Sequence, residues 1–174
     1  MKLFDIIPIE ISPNETVYKT SYKNNDLISK LINEINLEGS VPNDIVETYV
    51  TPYDMLDRYV GFQELDNVLK NMFASFSFQY QEQIKNLNAL HLWGAKHKVG
   101  SGQTVRHKHD EKAIWSGVFY LQTPEGSAPI WFEDEDWKYF PTQGDILFWK
   151  PHIYHSVGSG NNKEERIAIG FNYT

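Results

Sequence analysis

The stretch HSVGSGNNKEERIAIGFNY, running from His155 to Tyr173, decides how the fold is read. After a turn-rich, charged middle it ends in β-prone residues that alternate. Arg166, Ala168, Gly170 and Asn172 fall on one strand face, and Ile167, Ile169 and Phe171 on the other. The second set is an ordinary core face. The first sets a guanidinium beside two small residues, the pattern of a sheet whose inner face lines a cavity with a charged floor. There Arg166 would take a carboxylate in a two-pronged hydrogen bond. The plainer reading, an exposed Arg166 paired with Glu164 or Glu165, stays open on these residues alone.

Working back from this strand, the chain after Asn88 is a series of short β-prone runs: ALHLWGAKHKV, TVRHKH, WSGVFYLQT, APIWFED, WKYFPT, GDILFWKP and HSVG. Gly, Pro, Ser and Asn separate them, as in an all-β sandwich or barrel. The first half has another texture. LFDIIPIEI reads as a strand in which Pro8 marks an edge. In NNDLISKLINEINLE, the residues Leu27, Ile28, Leu31, Ile32, Ile35 and Leu37 have helical spacing behind an Asn/Asp start. GSVPNDIVETYVTPYDML is turn-rich and irregular, and a second, longer helical pattern runs from about Phe62 to Leu87 without Pro or Gly. The expected architecture is mainly β in an α+β chain. Residues 1–88 supply a strand and supporting helices, residues 89–174 supply a barrel, and the whole of 1–174 forms one domain.

Composition narrows the function. The 174 residues are 41% hydrophobic and 14% aromatic, ample for one core. A formal charge of −7 argues against a general phosphate-binding surface, so nucleic acid is not an expected partner. With no cysteine, disulfides, thiolate metal sites, iron–sulfur clusters and cysteine nucleophiles are excluded, and a metal would have to be held by His, Asp or Glu. The N-terminal run is broken by Asp5, Pro8 and Glu10 and lacks the pattern of a signal peptide. No stretch approaches the roughly 20 apolar residues that span a bilayer, so a soluble, cytoplasmic protein is expected.

All six histidines lie at or after His91. In an extended segment His107 and His109 aim to one side while Arg106, Lys108 and Asp110 aim to the other, so two imidazoles can share an ion. His155 lies far enough along the chain for several strands to intervene and return beside the pair. A solvated polar turn would show the same H-x-H, and only the third histidine and the Arg166 strand tilt the balance toward a metal site. Weaker candidates surround these. His97 shares a face with Trp93 and Ala95, and is either a donor to a bound acid or an exposed residue between Lys96 and Lys98. Tyr120, on a face with Ser116 and Val118, either assists Arg166 or packs in the core. Trp131, Trp137, Trp149 and Tyr154 would line a substrate mouth or fill the β core. Glu133 to Asp136, the run EDED, reads as a solvated loop.

The order H-x-H, WSGVFYL, IWFED, PTQGDILF, a distal His-Ser-Val and then RIAIGFN resembles the 2-oxoglutarate/Fe(II)-dependent oxygenases of marine phages and bacteria, and more distantly the prolyl 4-hydroxylases. The resemblance covers about Leu92 to Asn172. It implies a double-stranded β-helix, a jelly-roll or cupin-like barrel with N-terminal buttressing helices. It implies Fe(II) held by His107, His109 and His155, with 2-oxoglutarate and O2 as co-substrates. Arg166 would hold the distal carboxylate of 2-oxoglutarate, and His97 and Tyr120 would assist. The activity implied is a dioxygenase acting on a prime substrate whose class no segment specifies, in the cytoplasm, or the host's cytoplasm for a phage protein. The number of copies is left open, a homodimer among the options. The wider superfamily has an acid where this chain has His109, and Asp110 would take that place if the strand bulges.

Two rivals share the metal site. A cupin-type binding protein or isomerase would need a glutamate four to five residues past the H-x-H, whereas Glu111 follows His109 by two, and a histidine soon after a P-x-G turn, whereas His155 comes 11 residues after Gly144. A three-histidine zinc hydrolase gives Arg166 no task. A non-enzymatic protein that kept the barrel would not need intact ligands.

Overall fold

Asn24 starts the first helix in the computed structural model, which describes residues 3–43, 48–84, 86–99, 104–109, 112–132 and 137–174. Its side-chain oxygen accepts from the N–H groups of Asp26 and Leu27, both at 3.1 Å, satisfying donors that have no partner within the first turn. The helix α1 (Asn25–Glu38) buries Leu27, Ile28, Leu31 and Ile35. It ends where Gly39, at φ 78°, donates its N–H to the Ile35 carbonyl. Ile32 is only partly buried, and Leu37, two residues round from Ile35, points to solvent.

A one-turn α2 (Met55–Arg58) precedes the long α3 (Val60–Tyr80), which buries Phe62, Leu65, Leu69, Met72, Phe73 and Phe76. The helical pattern expected to reach Leu87 stops seven residues sooner, because Gln81 turns into the left-handed region at φ 55°. Ile84 and Leu87 still pack against the same core. Their apolar character reflects burial of a non-helical tail, which periodicity alone does not distinguish from helix.

Helices α1 and α3 cover one face of an antiparallel eight-stranded sheet. Its strands are β1 (Ile7–Ser12), β2 (Glu15–Ser21), β3 (Val41–Asn43), β4 (Thr48–Val50), β5 (Ala89–His97), β6 (Trp115–Gln122), β9 (Asp145–Trp149) and β11 (Arg166–Tyr173). They lie in the order β1-β2-β9-β6-β11-β5-β4-β3. Pro8 stands on the edge strand β1, as its missing N–H requires. The first half contributes more to this sheet than one strand. The hairpin β1–β2 joins it beside β9, and the segment read as irregular supplies β3 and β4 beside β5.

A smaller sheet, β10 (His155–Val157), β7 (Ile130–Phe132) and β8 (Trp137–Tyr139), faces the larger one. The extended segment 104–109 adds to its edge: the N–H of His107 donates to the His155 carbonyl at 3.0 Å, the reverse bond is 2.9 Å, and Thr104 N–H donates to the Val157 carbonyl at 2.8 Å. The two sheets make the flattened barrel of a double-stranded β-helix. Among the described residues no helix is long and apolar enough to cross a membrane.

Every residue of β11 is buried, but its two faces meet different surroundings. Ile167, Ile169, Phe171 and Tyr173 join Trp115, Phe119, Ile146 and Phe148 and the helices in one apolar core. Between the sheets, Val17, Tyr120, Leu147, Trp149 and Ala168 pack with Ile130, Phe132 and Ile153. The end of the barrel beside them stays open as a cavity of about 390 Å³.

Candidate metal centre

The segment 104–109 is extended, so its side chains alternate. Arg106 and Lys108 reach round the Tyr154 ring, at 4.3 and 5.6 Å from its centroid, while His107 and His109 aim into the barrel. His155 comes in from β10 across the His107 bridge. The three rings stand 4.4 Å (His107–His155), 4.9 Å (His109–His155) and 5.6 Å (His107–His109) apart, and one nitrogen from each lies within 4.8 Å of the others.

Two of the three rings are oriented by main chain. His107 donates its Nδ1–H to the Val105 carbonyl at 2.9 Å, and His155 donates its Nδ1–H to the Ile153 carbonyl at 3.3 Å, which leaves each Nε2 lone pair free. Burial, and then the neighbouring His107 and His109, hold His155 well below the usual histidine range; burial and His107 bring His109 down to about 4. Neutral imidazoles of this kind are ligands for a divalent first-row ion.

Deeper in the same cavity, Arg166 is 2% exposed, and its Nε makes no hydrogen bond among the described residues. Its guanidinium carbon lies 5.0 Å from the centre of the Tyr120 ring, and no carboxylate among the described residues pairs with it. Beside it stand His97, cross-strand from Arg166, and Tyr120. Among the described residues the His97 Nδ1 and the Tyr120 hydroxyl are buried without a hydrogen-bond partner. Burial and the Arg166 charge hold His97 well below the usual range, and burial pushes Tyr120 up to about 12, so both are neutral. Buried polar groups are rarely left unsatisfied, and three converging on one cavity, one of them on the buried cation itself, fit a bound carboxylate.

The structure thus brings together His107, His109, His155, Arg166, His97 and Tyr120 around one cavity. Asp110, the alternative ligand, and the acidic run 133–136 lie outside the described residues. The other two histidines point elsewhere: His152 meets Glu15 at 3.1 Å, and His91 lies beside Tyr53. Of the aromatic residues weighed for a mouth, Trp149 lines the cavity 4.8 Å from the His155 ring, while Trp137 stacks on Tyr139 and Tyr154 holds Arg106. The sequence reading missed the wall supplied by the first half, Thr48, Val50 and Tyr53. Only the short TYV run, β-prone between turn residues, hinted at it. It also missed why Gly170 must be small: a Cβ there would come within 2.2 Å of the Trp93 indole laid across it.

No protein-family model matches the chain, and no curated protein does. Solved structures do. The viral collagen prolyl hydroxylase of Paramecium bursaria Chlorella virus-1, as its 2OG complex, has a TM-score of 0.70 at 18% identity, over 95% of this chain and 99% of that one. A Pseudomonas putida prolyl-4-hydroxylase gives 0.68 at 13%, over 92% of each. The non-heme alpha-ketoglutarate-dependent carbocyclase of nogalamycin biosynthesis gives 0.71 at 10%, over 90% of this chain and 78% of that one. What the chain shares with these proteins is their fold, the double-stranded β-helix backed by helices on one sheet.

Proposed function

We propose that the chain is a single-domain Fe(II)- and 2-oxoglutarate-dependent dioxygenase that hydroxylates or otherwise oxidises a prime substrate, acting in the cytoplasm. The observation that carries this reading is the pairing, in one cavity, of three clustered imidazoles with a fully buried arginine that lacks a carboxylate partner among the described residues. An ion site alone would suit a hydrolase or a binding protein; a hydrolase gives a buried guanidinium no task, and the spacing of Glu111 and His155 does not fit a cupin-type binding protein.

His107, His109 and His155 would hold the ion on one side, leaving the side facing the cavity open. Arg166 would receive the C5 carboxylate of 2-oxoglutarate in a bidentate bond, with the Tyr120 hydroxyl and His97 as further neutral partners. When bound, the iron and its co-substrates supply the oxidation of a C–H bond, with release of succinate and CO2. The protein's part is to orient and shield. Trp149 and Ala168 are buried parts of the cavity wall and would shield it from water, and Tyr53 is an exposed part of the lining, where a prime substrate would enter.

The test is reconstitution with Fe(II) and measurement of succinate while prime-substrate classes are screened. Succinate formation that needs Fe(II) and the three histidines supports the reading. No binding of 2-oxoglutarate to the Mn(II)-loaded chain overturns it.

A further inference from the structure

His107 and His155 each use the carbonyl two residues back to fix the ring, whereas His109 makes no such bond among the described residues. The matching carbonyl belongs to His107, and it is directed into the ladder, where it accepts the His155 N–H at 2.9 Å. What His109 has instead is a side chain: its Nδ1 lies 3.5 Å from Nδ2 of the Asn172 amide, whose Oδ1 accepts at 2.8 Å from the Ser116 hydroxyl on the adjoining strand. Both residues are sealed from solvent, Ser116 at 0% and Asn172 at 5% exposure. Asn172 stands on the Arg166 face of β11, so the cavity-lining alternation that brings Arg166 to the floor also brings this amide behind the imidazole.

The geometry points to Asn172, anchored by Ser116, as the positioning residue that sets the tautomer and aim of His109. This inference rests on the reading of the three histidines as ligands. An imidazole that gives its Nε2 lone pair to an ion carries its proton on Nδ1, so its outer partner must accept. Asn172 does so once its amide is turned over from the orientation in which it accepts from Ser116, so that the oxygen accepts from His109 and the NH2 donates to the Ser116 oxygen. The oxygen and nitrogen of an amide occupy nearly the same space, so beyond that turn the arrangement needs only the 3.5 Å contact to close by a few tenths of an ångström. The result is a chain of donors running from His109 through Asn172 to Ser116 in one direction. The one imidazole that stands where related sites carry an acid is thus the one held by side chains.

The test uses the full chain, stripped of metal and labelled with 15N, with histidine tautomers read by long-range 1H–15N correlation at pH 8. Co(II) affinity is then measured by calorimetry on the parent, Asn172→Ala, Asn172→Asp and Ser116→Ala. His109 should be the Nδ1–H tautomer in the parent and lose that preference in Asn172→Ala, with Co(II) binding weakened by about 10- to 100-fold. Asn172→Asp, which keeps an acceptor toward Nδ1, should retain both the tautomer and the affinity. Ser116→Ala should show a smaller loss of each, and thermal melts confirm that the variants are folded. An Nε2–H His109 in the parent overturns the inference, and so does an equal loss in Asn172→Ala and Asn172→Asp, which would mark a packing role only. A parent chain that keeps the Nδ1–H tautomer yet binds no Co(II) supports Asn172 as the residue that sets His109 and defeats the ligand reading instead.

Discussion

The two faces of β11 are equally buried and chemically opposite. On one, Ile167, Ile169, Phe171 and Tyr173 meet the helices through hydrocarbon, and the polar exception, the Tyr173 hydroxyl, is met by Asp66 at 2.6 Å. On the other, Arg166, Ala168, Gly170 and Asn172 face a cavity in which several polar atoms have no partner among the described residues. Burial alone therefore does not separate structure from function here. What separates them is whether the buried polar groups are satisfied within the chain, because an unsatisfied group costs about 1–3 kcal/mol and persists where a ligand meets it.

The contrast can be broken at several points. The largest effect is expected at the metal ligands. His155→Ala should reduce divalent-ion binding by at least about 100-fold, since even outer partners of ligands cost 10- to 100-fold, and metal analysis of the purified variant checks it. Full occupancy in that variant together with loss in His152→Ala would reassign the distal ligand.

Next comes the cavity floor. Arg166→Ala should weaken 2-oxoglutarate binding to the Mn(II) form by roughly 30-fold to several thousand-fold, the equivalent of about 2–5 kcal/mol, with partial recovery in Arg166→Lys. Without co-substrate, the alanine variant should melt no lower than the parent, since it removes a buried charge that has no carboxylate partner among the described residues.

On the helix-backed face the sign reverses. Phe148, fully buried against Tyr18, Phe73 and Trp115, should lose about 3–5 kcal/mol of stability on change to Ala, while the folded fraction keeps its ion and co-substrate affinity. Denaturant titration and calorimetry on one preparation read both quantities.

Gly170→Ala tests the boundary between the faces. The new methyl meets the Trp93 ring and displaces it toward His109, whose ring is 6.1 Å away, at about 1–3 kcal/mol.

The smallest effect is the pH dependence of His97. Its folded value is held well below the ordinary 6.5, so as pH falls through that range the unfolded chain takes up a proton that the folded chain does not. The stability His97 contributes is present above about pH 6.5 and lost toward its folded value, with a slope of at most about 1.4 kcal/mol per pH unit. His97→Gln should therefore lose less stability than the parent between pH 7.5 and 5.5, as urea titrations at the two values would show.

Much of the barrel was legible because strands declare themselves locally. The alternation of Arg166 to Tyr173 and the H-x-H spacing each follow from a period of two, and the structure places both sets of faces as that period requires. The end of α3 was not legible, since Ile84 and Leu87 continue an apolar pattern after Gln81 has left the helix. Nor was the hairpin β1–β2 as a neighbour of β9, because pairing between Val17 and Trp149 leaves no mark on either segment.

The sequence by itself determined the kinds of group this protein could bring to a site: no thiolate, six histidines confined to the second half, and an arginine on a face of small residues. Only the tertiary structure decided that His155 bridges His107, that Arg166 has no carboxylate beside it among the described residues, and that Asn172 with Ser116 stands behind His109. The reason is physical. Side-chain alternation is a property of a few consecutive peptide units, whereas the satisfaction of a buried polar atom depends on which distant strand arrives beside it, and that is settled by the packing of the whole chain.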